Sequence, residues 1–189
     1  MAFHPAYPSC LLSGSTDGLV NIYDIRITDE DDALSQVINH GASIAHAGFL
    51  TNTKIHALSH DEMLSIYHLN QATDNIDDRE DPPPIVFGDL RPKSVCEYVV
   101  NVLPFGEGAI VGAGTHRFDQ QIAHELERVT KSRISEHRLD LIALSSASGW
   151  AIDESQTIRL AGALGEEIVR SFYIDSRVRL PVVVRKATL

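Results

Sequence analysis

The 189-residue chain reads as an all-β protein, and three observations carry that reading. The first is an Asp-Gly turn, Thr16-Asp17-Gly18, set between two apolar runs rich in β-branched residues. Asp-Gly in that setting is the strongest short-range hairpin signal, because both residues tolerate a positive φ. The second is a repeat. Residues 55–69 align on 11–25 without a gap: Ser15 matches Ser59, Asp17 matches Asp61, Ile22 matches Ile66 and Tyr23 matches Tyr67, each pair 44 residues apart. The third is that further, interrupted copies follow downstream. A fixed period of 40–45 residues, with four strands' worth of chain in each, is the pattern of a β-propeller blade. The predicted fold is therefore a partial β-propeller, open or incomplete, of about three to four blades with one helical insertion.

Each element follows from its local chemistry. Repeat 1, about 1–39, holds a strand from Cys10 to Ser15 and a second from Leu19 to Ile25, joined by the Asp-Gly turn. The acidic run Asp29 to Asp32 reads as a solvated loop or strand edge, since no Gly-punctuated calcium loop follows it. Repeat 2, about 40–90, carries the matched pair of strands over 55–69 and then a polar, acidic, Pro-rich stretch, 74–84, expected to be an extended loop. Repeat 3, about 91–161, resumes with a strand at 109–115 and another at 139–144. Between them lies an insertion, 117–137, in which Ile122, Leu126, Val129 and Ile134 fall on one helical face among charged residues. Repeat 4, about 162–189, opens like a new blade at 162–173 but offers only one further strand. Pro181 lacks the N–H for a ladder bond, so that strand is expected at an edge.

At this point the chain resembles the WD-repeat family of β-propellers. That family's repeat starts with Gly-His, places apolar residues four, seven and nine positions later, and ends in Trp-Asp. His40, Ile44, Ala47 and Phe49 hold this spacing, as do Leu164, Ile168, Ser171 and Tyr173 with Leu in place of His. Tyr23-Asp24 stands where Trp-Asp would be, Tyr67-His68 is a weaker version, and Asp17 and Asp61 each precede their Tyr by the family's six residues. The stretches from Phe3-His4-Pro5 through Ile25 and Ser59-His60-Asp61-Glu62 are similar to the C-terminal half of the WD repeat-containing protein 89 subfamily. In such a blade the turn Asp accepts bonds from turn N–H groups and from the His, and the His and a strand Ser extend the chain of bonds to the aromatic. The resemblance thus implies structural roles for Asp17, Tyr23, His40, Asp61 and Tyr67. It implies protein partners, as a scaffold or adaptor, and no enzyme activity. The acidic stretch with Asp74, Asp77, Asp78, Glu80 and Asp81 is a candidate interaction loop for basic partners, and the helical insertion is a second contact element.

Other readings fare less well. Formal net charge is −10, which supplies no global basic footprint for nucleic acid or an anionic membrane. No apolar run approaches a membrane span and the N-terminus has no signal-peptide pattern, so an intracellular protein, cytoplasmic or nuclear, is expected. Two cysteines, Cys10 and Cys96, build neither a disulfide scaffold nor a four-cysteine zinc site. His56, His60, Asp61 and His68 are zinc-type donors, but strand geometry separates them and no metal is expected. The Ser145-Ser146-Ala147-Ser148-Gly149 turn is not a nucleophile elbow, and no catalytic constellation or cofactor is expected. The serious competitor is a dinucleotide-binding or oxidoreductase βαβ unit around Gly112 and Gly114. Arg117 stands at its third glycine position, and nothing upstream alternates strand and helix. A further alternative is a truncated gene product without independent function. Setting aside the insertions leaves about 3.6 periods, below the roughly 4–8 blades of a closed ring. The expectation is part of a larger ring with exposed blade edges, through which the chain can self-associate.

Overall fold

The computed structural model describes residues 1–70, 82–94, 96–118, 135–146, 149–159, 168–174 and 182–187. The acidic loop residues Asp74, Asp77, Asp78, Glu80 and Asp81, and the expected helix over 119–134, lie outside the described residues. The chain forms two compact units: Met1–Leu90 with Pro104–Ala109 and Ser145–Trp150, and Arg91–Leu103 with Ile110–Leu144 and Ala151–Leu189.

Met1–Leu90 contains two four-stranded antiparallel sheets. Sheet one runs β1 (Ala2–Phe3), β2 (Cys10–Gly14), β3 (Leu19–Asp24) and β4 (Leu34–Asn39), with sequential strands adjacent. Sheet two runs β5 (Ile44–Phe49), β6 (Lys54–Ser59), β7 (Met63–His68) and β8 (Ile85–Asp89) in the same order. The period is conserved in the ladder itself. Leu11 pairs with Tyr23 and Leu12 with Ile22, as Ile55 pairs with Tyr67 and His56 with Ile66. On β3, Val20 and Ile22 are buried while Asn21 and Tyr23 are partly exposed, the two-residue alternation of a strand with one core face. Leu12, Val20, Ile22, Ile38, Ile44, Phe49, Ile55, Ala57 and Leu69 form the shared core. Sheet two enters close to β2: Ile44 N–H donates to Ser15 O at 3.2 Å. A Cβ on Gly14 would stand 2.7 Å from Ile44 Cγ2, so this approach requires glycine.

The acidic run differs from the loop expected of it. Glu30–Ala33 forms a single helical turn, α1, because the Asp29 side chain accepts from Asp31 N–H at 3.1 Å and the first-turn acids suit a helix N-terminus.

A third sheet takes the order β12 (Ala151–Arg159), β11 (Ser135–Ser145), β10 (Gly108–Phe118), β9 (Tyr98–Phe105). Residues 91–94 make a short helix, α2. On β9 the adjacent Val99 and Val100 are both buried, so both faces of that strand are covered; on β11 the adjacent Leu141 and Ile142 are buried likewise. β13 (Ile168–Ile174) and β14 (Val182–Ala187) pair antiparallel, with a bulge between Val169 and Ser171. β14 begins at the residue after Pro181. The fold class is all-β, in successive antiparallel sheets of four strands, as the sequence predicts. No helix among the described residues is long and apolar enough to cross a membrane.

Candidate functional site

The two matched turns are built alike. In the first, Gly18 N–H donates to Ser15 O at 3.2 Å and Ser15 Oγ receives Asp17 N–H at 3.4 Å. In the second, Glu62 N–H donates to Ser59 O at 3.1 Å and Ser59 Oγ receives Asp61 N–H at 3.2 Å. They differ in how the next strand starts. Leu19 N–H is held by Asp17 Oδ1 at 3.0 Å, whereas Met63 N–H is held by Ser59 Oγ at 3.2 Å. The Leu19 N–H, and after it the Ser15 hydroxyl, hold the Asp17 carboxyl below its ordinary value. The fourth turn residue has positive φ in both, 90° at Gly18 and 62° at Glu62.

His40 sits between these turns. Its N–H donates to Gly18 O at 2.9 Å, and its ring reaches the second sheet. Nε2 lies 3.2 Å from Met63 O, which only accepts, so Nε2 carries the proton and Nδ1 accepts from Tyr67 O–H at 2.9 Å. The rings meet edge to face at 77° with centroids 6.1 Å apart. Burial makes the His40 ring harder to protonate and the Tyr67 hydroxyl harder to ionise, the Ser65 hydroxyl opposing the latter. The structure therefore brings His40 to Tyr67 on β7. Tyr23 is on β3, laddered between Leu11 and Leu34, and none of the His40 bonds goes to it.

Two further residues, His4 and Gln36, tie the same unit together, and a third, His56, is buried within it. His4, buried, accepts Ala6 and Tyr7 N–H on Nδ1, both at 3.0 Å, and donates from Nε2 to Asn52 O at 3.1 Å. Its ring stacks on Tyr7 and meets the edge of Phe49. Gln36 on β4 donates to His68 O and accepts from Asn70 N–H, each at 3.0 Å. His56 takes the ladder position that Leu12 holds in sheet one, and neither ring nitrogen finds a hydrogen-bond partner among the described residues. The signal for His56 was available in the 44-residue alignment, and His4 lies in the stretch that carries the closer resemblance; the distant partners of His4 and Gln36 are named by no local spacing.

The glycines of the nucleotide-binding alternative do not stand where that reading needs them. They belong in the turn that follows a strand, yet Gly112 and Gly114 lie inside β10, which continues to Phe118. A Cβ at Gly114 would fall within the ring of Tyr98 on β9, so a protein side chain, rather than a pyrophosphate, accounts for that glycine. The hydrogen bonds around His40, His4 and Gln36 link backbone segments to one another, which is the chemistry of holding a fold.

No family profile matches the chain. It is 48% identical over 175 residues to a WD repeat-containing protein of Saccharomyces cerevisiae, an alignment that covers 93% of this chain and 38% of that protein. A WD repeat-containing protein of Schizosaccharomyces pombe is 39% identical over 106 residues, 53% of this chain and 32% of its own length. The WD repeat-containing protein 89 homolog of Dictyostelium discoideum is 41% identical over 69 residues, 35% of this chain and 19% of its own. The chain thus spans well under half the length of these relatives. Its homologues are WD repeat-containing proteins, the WD repeat-containing protein 89 homolog among them, and its successive four-stranded antiparallel sheets are consistent with an incomplete WD-repeat β-propeller.

Proposed function

We propose that the chain is a non-enzymatic scaffold or adaptor that holds protein partners on the loops of its blades. The observation that carries this reading is the repeated register: strand pairs recur 44 residues apart while the connections between them differ in length and sequence. Rigid sheets of this kind leave loop sequences free to specialise for binding. The relatives are WD repeat-containing proteins by name, which supports a repeat architecture of this kind.

In this proposal the repeats divide at about 39/40, 90/91 and 161/162, with the insertion at 117–137. Asp17, Tyr23, His40, Asp61 and Tyr67 brace the blades. The acidic loop bearing Asp74, Asp77, Asp78, Glu80 and Asp81 selects basic partners by charge complementarity, and free strand edges permit self-association. The chain works inside the cell, in cytoplasm or nucleus, without cofactor or metal. Affinity capture with the intact chain and with a chain lacking 74–84 tests the loop. Basic partners are expected to be lost on deletion and to elute early in salt; an unchanged set of partners removes the loop from the proposal. Light scattering after size exclusion, with circular dichroism, is expected to give a monodisperse strand-rich species. An aggregate would instead favour a truncated gene product.

A further inference from the structure

The β3–β4 connection leaves sheet one beside the β1–β2 connection, with Ile25 N–H donating to Ser9 O at 2.9 Å and Cys10 N–H to Tyr7 O at 2.9 Å. Its backbone is braced. Asp24 accepts from Arg26 N–H at 3.1 Å and Arg26 Nε at 2.9 Å on Oδ1, and from Nη2 at 2.5 Å on Oδ2. Ile27 N–H closes the turn on Asp24 O at 3.1 Å. The Arg26 charge is thereby matched within the turn. Apolar side chains are nonetheless left in water: Ile25 is 51% exposed, Ile27 42% and Leu34 38%. Tyr7, 57% exposed, stands on the neighbouring connection with its ring stacked on His4 at 4.7 Å.

Between Ile27 and Leu34 come Asp29, Glu30, Asp31 and Asp32, all exposed, and no cation among the described residues pairs with any of them. Aliphatic groups held on a fixed backbone beside four carboxylates that no described cation pairs are complementary to one chemistry: lysine- or arginine-rich sequence that also carries apolar side chains. We propose that this end of sheet one, residues 24–34 with Tyr7, docks a basic, apolar-bearing segment of a partner protein. The proposal rests on the reading of the chain as a protein-interaction scaffold and adds a second surface to it, independent of the 74–84 loop.

The test is titration of the intact chain into labelled synthetic peptides: an alternating Leu/Lys peptide, an oligolysine of equal charge and a Leu/Glu peptide. The Leu/Lys peptide is expected to bind at least tenfold more tightly than oligolysine. Replacing Ile25→Ser with Ile27→Ser, or Glu30→Gln with Asp31→Asn and Asp32→Asn, is expected to weaken it tenfold or more. The charge-reversed chain (Glu30→Lys, Asp31→Lys, Asp32→Lys) is expected to gain the Leu/Glu peptide, a gain that misfolding cannot imitate. Equal binding of the Leu/Lys peptide and oligolysine, or affinity untouched by either set of substitutions, overturns the proposal. So does loss of the peptide on deleting 74–84 alone, which would leave the scaffold reading standing and move the basic partner to the other loop.

Discussion

His56 occupies the place in sheet two that Leu12 fills in sheet one, and it is almost as deeply buried, at 4% exposure. Its imidazole has left water, and neither ring nitrogen has a well-formed hydrogen bond among the described residues, the Gly48 backbone giving only weak polar support; the neighbouring His46 adds repulsion. Burial first, and His46 second, bring its pKa down to about 4 from 6.5, with the Gly48 backbone opposing. Above about pH 6.5 the ring is neutral in both folded and unfolded chains, and His56 makes stability independent of pH. Below that value the unfolded chain takes up a proton that the folded chain excludes, so stability falls until the pH nears about 4. The loss is on the order of 3 kcal/mol. His56→Leu is expected to add about 1–2 kcal/mol at pH 7.5. It should also flatten the decline between pH 6.5 and 4, leaving the smaller part that His40 and His46 contribute in the same direction. Urea unfolding at pH 7.5 and pH 5 measures both, and an undiminished slope in the variant would sink the account. Glu62 illustrates the same comparison in the backbone, since it adopts φ 62° where the earlier repeat has Gly18 at 90°. Glu62→Gly is expected to stabilise by about 1 kcal/mol. Gly18→Ala should destabilise, because its Cβ would also stand 3.1 Å from Ala42 N; melting temperatures distinguish the two directions.

Among the elements, strands and turns were the most legible. The Ser15–Gly18 and Ser59–Glu62 turns, and the ladders on either side, repeat in the structure as they do in the chain, because turn chemistry and two-residue alternation are local properties. His40 was legible as a residue type but its aromatic partner was not. The sequence puts His40 and Tyr67 in one repeat, about 40–90, without pairing them; the pairing comes from the fold, because the chain at His40 is turning into β5 and its ring meets β7 of that same sheet. A double-mutant cycle with His40→Ala and Tyr67→Phe is expected to give a coupling energy of about 1 kcal/mol. The same cycle with His40→Ala and Tyr23→Phe should be additive within a few tenths of a kcal/mol. Equal coupling in the two cycles would contradict the observed pairing. The α1 turn was hidden for a different reason: four acidic residues read as solvated loop, and only the backbone shows Asp29 capping the turn that follows.

For the molecule as a whole, the formal charge of −10 opposes association at neutral pH, and the calculated isoelectric point of about 5.2 marks where that opposition vanishes. Light scattering is expected to rise as the pH approaches that value and to stay low at pH 7.5. Scattering independent of pH would mean that charge does not keep these chains apart. The amino-acid sequence by itself determined the all-β class, the 44-residue period, the matched turns and the likeness to WD-repeat proteins, since each is written in short-range spacing. Tertiary structure alone decided that His40 meets Tyr67, that His4 reaches Asn52 across 48 residues, and that Ile25, Ile27 and Leu34 stay uncovered. It also decided that Gly114 makes room for Tyr98. Such contacts join residues far apart along the chain, and no local pattern names a distant partner; only the packing of one strand or sheet against another brings the two together.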